Sequence, residues 1–339
     1  MSDKLDIEAV KRAVEGRSMA LLADKFTIRQ NEELYKTMYP TGFKELDKVL
    51  GGGLPAGLHC IGAISSLGKS SFAMQIVENT AKAGMPCIVF SLEMKAIDLT
   101  AKAISRQTFL DSAENEHYAR TNTELTSKKF NENVSDPEWD IIKGAAAKVA
   151  EYSKKITIVE CGANPYTVDQ IGLFVQNYIQ VYKEKPLVVV DYLQILDAPD
   201  PLKSAGDKQV ADYNLKRLKI LSDYFELPII IISSFNRENY DMDVNFKAFK
   251  DSGNIEYSCD TVLGLQLRGI NETGFNAEKA KAEFPRQLEL KVLKQRYGEI
   301  GKRISYVFYT KYNLFEEGDF IRTSVLDSPF DNKKARKSF

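Results

Sequence analysis

From Leu58 to Thr80 the chain reads LHCIGAISSLGKSSFAMQIVENT, and no other stretch limits the possible folds as much. An apolar run, Leu58 to Ile61, meets a small Gly/Ser-rich turn, Gly62 to Gly68. Lys69 and Ser70 follow, and Phe72, Ile76 and Val77 then recur on one side of an amphipathic stretch. The order is strand, tight loop, helix. Such a loop turns successive backbone N–H groups inward at the positive end of the new helix, which makes a concave anion site. The residues expected to line it are Ala63, Ser65, Ser66, Leu67, Gly68, Lys69, Ser70 and Ser71. In this pattern the lysine reaches the β- and γ-phosphates of a nucleotide and the Ser70 hydroxyl sits on Mg²⁺. One position departs from the pattern. It wants glycine five residues before Gly68, where this chain has Ala63, and Gly62 falls one step early. By itself the segment also fits an ordinary strand-to-helix turn with a surface lysine.

The rest of the chain supplies partners for that unit. Pro86 to Leu92, Ile156 to Val159, Leu187 to Asp191, Pro228 to Ser234 and Thr261 to Leu267 are short apolar runs rich in β-branched residues, expected to be buried strands. Helical periodicity separates them: Ile97, Ala101 and Ile104; a segment opened by Pro137; one opened by Thr167; and one from Gly206 to Phe225. Leu288 to Leu293 and Ile304 to Tyr309 form a last pair of strands. Alternating strands and helices predict a doubly wound α/β fold, mostly parallel, with helices on both faces. Two acids stand at strand tips, where open α/β sheets place their ligands. Asp191 closes the run Leu187 to Val190 and looks like the Walker B aspartate that holds Mg²⁺ through water. Glu93 follows Pro86 to Leu92, and it also suits the N-terminus of the next helix.

Composition removes other classes. With 339 residues, 44% of them hydrophobic and 27% charged, the chain is ordinary for a soluble globular protein. No apolar run approaches membrane-spanning length, and MSDKLDIEAV is too polar for a signal peptide, so a cytoplasmic protein is expected. Cys60, Cys87, Cys161 and Cys259 are scattered without metal-ligand spacing and read as buried free thiols. His59 and His117 are isolated, and neither is assigned a role. Leu110 to Asp136 is polar and reads as an exposed excursion, residues 238–258 read as loop and short helix, and residues 270–286 read as a charged loop. Residues 1 to about 35 carry helical periodicity (Leu5, Ala9, Val10, then Met19, Leu22 and Phe26), to be buried in cis or on another copy.

Six segments in order resemble the C-terminal ATPase domain of the DnaB family of replicative helicases, a RecA-like P-loop fold. They are Pro40-Thr41-Gly42-Phe43 with Leu46-Asp47; the loop Ala63 to Ser70; Phe90-Ser91-Leu92-Glu93-Met94; Asp191-Tyr192-Leu193-Gln194; Asp251-Ser252-Gly253-Asn254-Ile255-Glu256; and Lys294-Gln295-Arg296 with Tyr297-Gly298. The family loop also carries alanine at its first position, which turns the departure at Ala63 into agreement. The resemblance runs from about Tyr39 to Phe315 and implies a 1–38 arm, a 39–317 ATPase domain and a 318–339 tail.

It also implies roles. Glu93 polarises the attacking water, Asp191 and Ser70 serve the metal, and Lys294 and Arg296 reach the γ-phosphate of a neighbouring subunit. Single-stranded DNA passes Lys203, Lys208, Lys250, Asp251, Ser252 and Gly253 in a hexameric homo-oligomer, although lysines in such runs equally suit solvated loops. Ser234 stands where the family has a γ-phosphate-sensing glutamine, and the family's N-terminal domain has no counterpart in the 38 residues before the core, so a primase or loader would come from another chain. ATP and Mg²⁺ are the implied ligands. Three functions stay open: a ring-forming DNA helicase or translocase; an ATP switch that loads or regulates without unwinding; and a small-molecule kinase, which the trans-acting Lys294-Gln295-Arg296 segment opposes.

Overall fold

The computed structural model describes residues 19–28, 36–112, 116–162, 166–191, 193, 196, 197, 199, 202–236, 242–249, 252–296 and 298–318. The chain divides into two units, residues 1–37 and 38–339. In the first, Met19–Lys25 is a helix; the apolar positions before Met19 lie outside the described residues.

In the second unit the described strands form one sheet: β1 (Gly57–Ala63), β2 (Cys87–Ser91), β3 (Ile156–Glu160), β4 (Leu187–Asp191), β5 (Pro228–Ser234), β6 (Thr261–Leu267), β7 (Arg286–Gln295), β8 (Arg303–Tyr309) and β9 (Leu314–Glu317). Their order is β3-β2-β4-β5-β1-β6-β7-β8-β9. Every pairing from β3 to β6 is parallel, and those among β6, β7, β8 and β9 are antiparallel. The sheet is thus mostly parallel, as the sequence pattern predicts. Each residue of β1, β2, β4 and β6 is buried, so both faces of these strands are covered. In β7 burial alternates through Leu288, Leu290 and Val292, the mark of a strand with one covered face.

Helices α1 (Lys69–Lys82), α2 (Ala96–Asp111), α3 (Asp136–Ser153), α4 (Val168–Tyr182) and α5 (Asp207–Phe225) connect the parallel strands. Their starts follow capping chemistry. Ser135 with Glu138 caps α3, with a proline in its first turn, and Thr167 with Gln170 caps α4. The four cysteines are free and buried. His59 is buried too, with Nε2 2.9 Å from the Pro55 carbonyl.

Three segments are more structured than their polarity suggests. The 110–136 excursion contains helical turns at Glu116–Tyr118, Asn122–Leu125 and Lys128–Asn131, and it buries Ala119 and Arg120. Arg120 makes this possible, because its guanidinium pairs with Glu138 of α3 and lies over the Phe130 ring. In the 238–258 loop, Asp243 accepts from Lys291 at 2.6 Å and Arg303 at 2.8 Å, which pins the segment to β7 and β8. The 270–286 loop contains a helix, Ala277–Ala282. Strand β9 is one that the sequence pattern does not predict; it has four residues, two of them glutamates.

A buried ion pair ties the helices together. Arg106 of α2 lies 2.5 Å from Glu78 of α1, both side chains 3% exposed. Arg106 Nε also donates to the Asn313 carbonyl at 2.9 Å, and the Tyr152 hydroxyl donates to Glu78 at 3.0 Å. Removing one charge leaves the other stranded away from water. Glu78→Gln should therefore lower stability by ~3–5 kcal/mol. Thermal and urea unfolding would measure it, and an unchanged midpoint would show that the pair carries no such weight.

Candidate active site

The parallel register brings the C-terminal ends of β2, β4, β5 and β1 to one edge. Ser91 lies beside Asp191 and Ala63 beside Ser234. Residues Ile64–Gly68 leave β1 at that edge and turn into α1. Two of them lie in the left-handed region, Ser66 at φ 62° and Gly68 at φ 97°. Glycine at 68 is required twice: by that backbone angle, and because a Cβ there would lie 2.6 Å from Phe308 and 2.9 Å from Phe315. Ala63 needs no such freedom. It is the last residue of β1, buried and paired with both β5 and β6. Gly62 instead makes room for two aromatic rings, since a Cβ there would meet Phe249 at 2.2 Å and Phe235 at 2.6 Å.

The loop closes one wall of an open cleft of about 370 Å³. Ser65, Ser66, Gly68, Lys69, Ser70, Ser71, Glu93, Asp191 and Ser234 line it, with Met94, Lys102 and Ile232. Nearly every expected phosphate, metal and water group therefore faces one space. Ala63 and Leu67 are the exceptions among the loop residues, both being fully buried. Ser71 reaches the cleft, but its hydroxyl donates to Asn313 at 3.1 Å.

Lys69 Nζ donates to the carbonyls of Ala63 at 3.1 Å and Ile64 at 3.0 Å. Burial pushes its pKa down to about 8, against the pull of Asp191 and Glu93. Asp191 is pushed the other way. Burial raises its pKa, a hydrogen bond from Ser70 opposes the rise, and the Glu93 charge adds to it. Ser70 and Asp191 are thus bonded to each other, an oxygen pair of the kind that suits a hard divalent cation.

Lys294 and Arg296 lie elsewhere. Lys294 Nζ donates to the Glu256 carbonyl, and Arg296 sits 2.9 Å from Asp260. Asp260 also accepts from Lys219 at 2.7 Å and from the N–H of Leu58, at the start of β1, at 2.9 Å. From Leu58 to the loop at Ala63 is five residues of extended strand, ~17 Å. Within one chain the two groups stand at opposite ends of β1.

A family model described as the DnaB-like helicase C terminal domain matches residues 39–317. The chain belongs to that family. Among its relatives, the probable replicative DNA helicase of Guillardia theta is 26% identical over 85% of this chain and 46% of its own length. The replicative DNA helicase DnaB of Helicobacter pylori strain J99 is 29% identical over 77% of this chain and 51% of its own. The chain spans about half the length of these curated relatives. Two solved structures share the fold. The ATPase domain of G40P has a TM-score of 0.71 at 18% identity, covering 90% of this chain and 99% of that one. A DnaB-like replicative helicase described with its interactions with primase also scores 0.71 at 18% identity, covering 91% of this chain and 70% of that one. The RecA-like fold of the family is the fold of this chain.

Against the family's sites, Lys203 lies in a turn and Lys208 is exposed in the first turn of α5. Lys250 and Asp251 lie outside the described residues, and Ser252 and Gly253 open the helix α6 (Ser252–Ser258). Two cations at the site belong to none of the sequence motifs. Lys102 enters the cleft from α2, with Nζ 3.3 Å from the Met94 sulfur and within electrostatic reach of Asp191 and Glu93. A signal for it exists: Asp98, Lys102 and Arg106 form a charged stripe at helical spacing along α2. Arg286 of β7 donates to the Ser66 carbonyl at 3.0 Å, a contact between distant segments that no local pattern reveals.

If Lys69 holds phosphate, it must be protonated to do so. With a pKa near 8 in the free chain, nucleotide affinity should be flat below that pH and fall by up to ~10-fold per unit above it, with proton uptake on binding. Isothermal titration in buffers of different ionisation enthalpy checks this; affinity constant from pH 7 to 10 would exclude the lysine.

Proposed function

We propose that this chain binds ATP with Mg²⁺ in the Lys69 cleft and hydrolyses it at the seam between two copies, driving movement along single-stranded DNA as a replicative helicase of DnaB type. The reading treats residues 39–317 as the hydrolysing domain, 1–38 as an arm and 318–339 as a tail, and makes the protein a cytoplasmic ring, expected to be a hexamer. The relatives' names support the activity, and the cleft supports the chemistry. Lys69 and the loop amides would bind and orient the phosphates, and Ser70 with Asp191 would hold the metal. Bound Mg²⁺ would neutralise phosphate charge. Glu93, exposed at the cleft mouth, would orient or deprotonate the attacking water. In the described residues no helix is long and apolar enough to cross a membrane.

One observation supports the seam: Arg296 is bonded to Asp260 at the start of β1, at the opposite end of that strand from its own Lys69. A guanidinium so placed does not reach its own cleft, and in this reading it would serve the phosphates of another copy. The DNA contacts would be sequence-tolerant and salt-sensitive, made by lysines and backbone amides near Lys203, Lys208 and Lys250 to Gly253. A primase or loader, if one is needed, would be a separate chain; one solved relative is described with primase.

A second reading, an ATP switch that does not unwind, draws support from Ser234. It lines the cleft but is shorter than the glutamine of the family pattern. Strand displacement on forked DNA separates the two, since turnover without displacement at every protein concentration favours the switch.

Arg296→Ala should lower ATP turnover by ~10³-fold or more while leaving assembly intact. Mixing Arg296→Ala with Lys69→Ala subunits should restore part of the turnover, because some seams then combine an intact loop with an intact arginine. Full activity in Arg296→Ala alone, or no recovery in verified mixed oligomers, would refute a shared site.

A further inference from the structure

We infer that Arg286 is a positioning residue of the nucleotide cleft, clamping the Ser66 carbonyl so that the loop keeps the backbone shape that receives phosphate. The inference rests on the reading of that cleft as a nucleotide site. Ser66 has φ 62°, a left-handed conformation that a residue with a Cβ enters only against steric repulsion. Gly68 is in the same region without that penalty. An interaction that holds Ser66 in this conformation offsets that cost.

Arg286 provides one. It donates from Nη1 to the Ser66 carbonyl at 3.0 Å, across 220 residues of sequence, and from Nη2 to the Lys281 carbonyl. Its own backbone is fixed, because Arg286 opens β7 and is paired there with Phe308 of β8. Phe308 is also one of the rings against which Gly68 packs. The guanidinium thus comes from a strand already in register with the wall behind the loop.

The effect on the ligand follows from peptide geometry. A trans peptide is planar, so the Ser66 carbonyl and the Leu67 N–H point in opposite directions, and fixing one fixes the other. A loop that binds anions through its amides needs carbonyls turned out and N–H groups turned in. Were Ser66 to leave the left-handed region, its carbonyl would swing away from Arg286 and the Leu67 N–H would turn with it. Arg286 opposes that change by holding the oxygen. Through Lys281 it also ties the Ala277–Ala282 helix to the loop, which brings the Lys281 charge within electrostatic range of Lys69.

A double-mutant cycle on the whole chain tests this, reading the dissociation constant of a fluorescent non-hydrolysable ATP analogue with Mg²⁺. Arg286→Met should weaken binding by ~10-fold, the size of a hydrogen bond from a charged donor. In a Ser66→Gly background the same change should alter binding by less than ~2-fold, because glycine takes the left-handed conformation unaided. Turnover should show KM raised by more than kcat is lowered. An equal loss in both backgrounds, or no loss in either, overturns the clamp; an equal loss would mean that Arg286 acts through the stability of β7 or touches the ligand itself. Unmutated protein that binds no analogue would instead overturn the nucleotide reading on which the clamp rests. If Arg286→Met does not fold, Arg286→Gln carries the same comparison, and Arg286→Lys, with its charged donor retained, should keep most of the affinity.

Discussion

The parallel register of β2, β4, β5 and β1 is the constraint from which the site follows. Parallel strands of similar length end together, so Ser91 meets Asp191 and Ala63 meets Ser234 along one edge. Each chain segment leaving that edge is released from the sheet at the same level. The loop after β1, Glu93 after β2 and the serine closing β5 are therefore neighbours, although up to about 170 residues of sequence separate them. Slipping one strand by a single residue would turn its buried side chains to the other face and move its tip out of line. The core enforces the register, because Leu187 to Val190 and Ile229 to Ile232 are buried on both faces.

The antiparallel half of the sheet has a different part: it forms the wall behind the loop. Phe308 and Phe315 stack with centroids 4.0 Å apart, and Phe315 meets Phe72 of α1 edge-on at 5.1 Å. The Gln75 side-chain amide pairs with both backbone groups of Phe315 at 2.8 Å, which extends the hydrogen bonding of β9 onto the helix. Asn313, in the turn before β9, accepts from Ser71 through its side chain and from Arg106 through its carbonyl. The first turns of α1 are thus held by hydrogen bonds and ring packing from strands more than 200 residues further along the chain. A helix N-terminus that must meet a multiply charged ligand gains from being rigid beforehand, because little ordering then remains for the binding step.

What is legible in the sequence and what is not divide along a physical line. Continuous apolar runs such as Leu187 to Val190 identify buried parallel strands because burial on both faces leaves no room for polar residues. Thr167 and Pro137 mark helix starts through local hydrogen bonding and a fixed φ, and both helices begin there. The loop and the two strand-tip acids are legible for the same reason, since their spacing is local. Strand β9 is not, because four residues with two glutamates make no pattern; it is a strand because β8 offers an edge and Phe315 fills a space beside Phe72. Arg120 is hidden inside a polar stretch, and its burial depends on Glu138, in the first turn of another helix. Arg286 is hidden more deeply, since its acceptor is a backbone carbonyl with no side-chain signature.

Asp260 links the start of β1 to the arginine proposed for the seam. Burial alone would raise its pKa, yet the Lys219 bond, the Leu58 N–H and the Arg296 charge hold it below the ordinary carboxylate value. It therefore stays an anion at neutral pH, in a place that Gly57 leaves open: a Cβ on Gly57 would lie 2.8 Å from its carboxylate. Lys219 offsets its charge from the inside, and Arg296 approaches with half of its side chain exposed. A guanidinium carries five N–H donors in a fixed fork, and this carboxylate fixes it from one side. An arginine already oriented by a buried anion loses less side-chain freedom on meeting a second anion than one swinging in water, where the loss is ~2 kcal/mol. At the proposed seam, the contact that orients Arg296 at the start of β1 would also ready it for a phosphate that another copy brings.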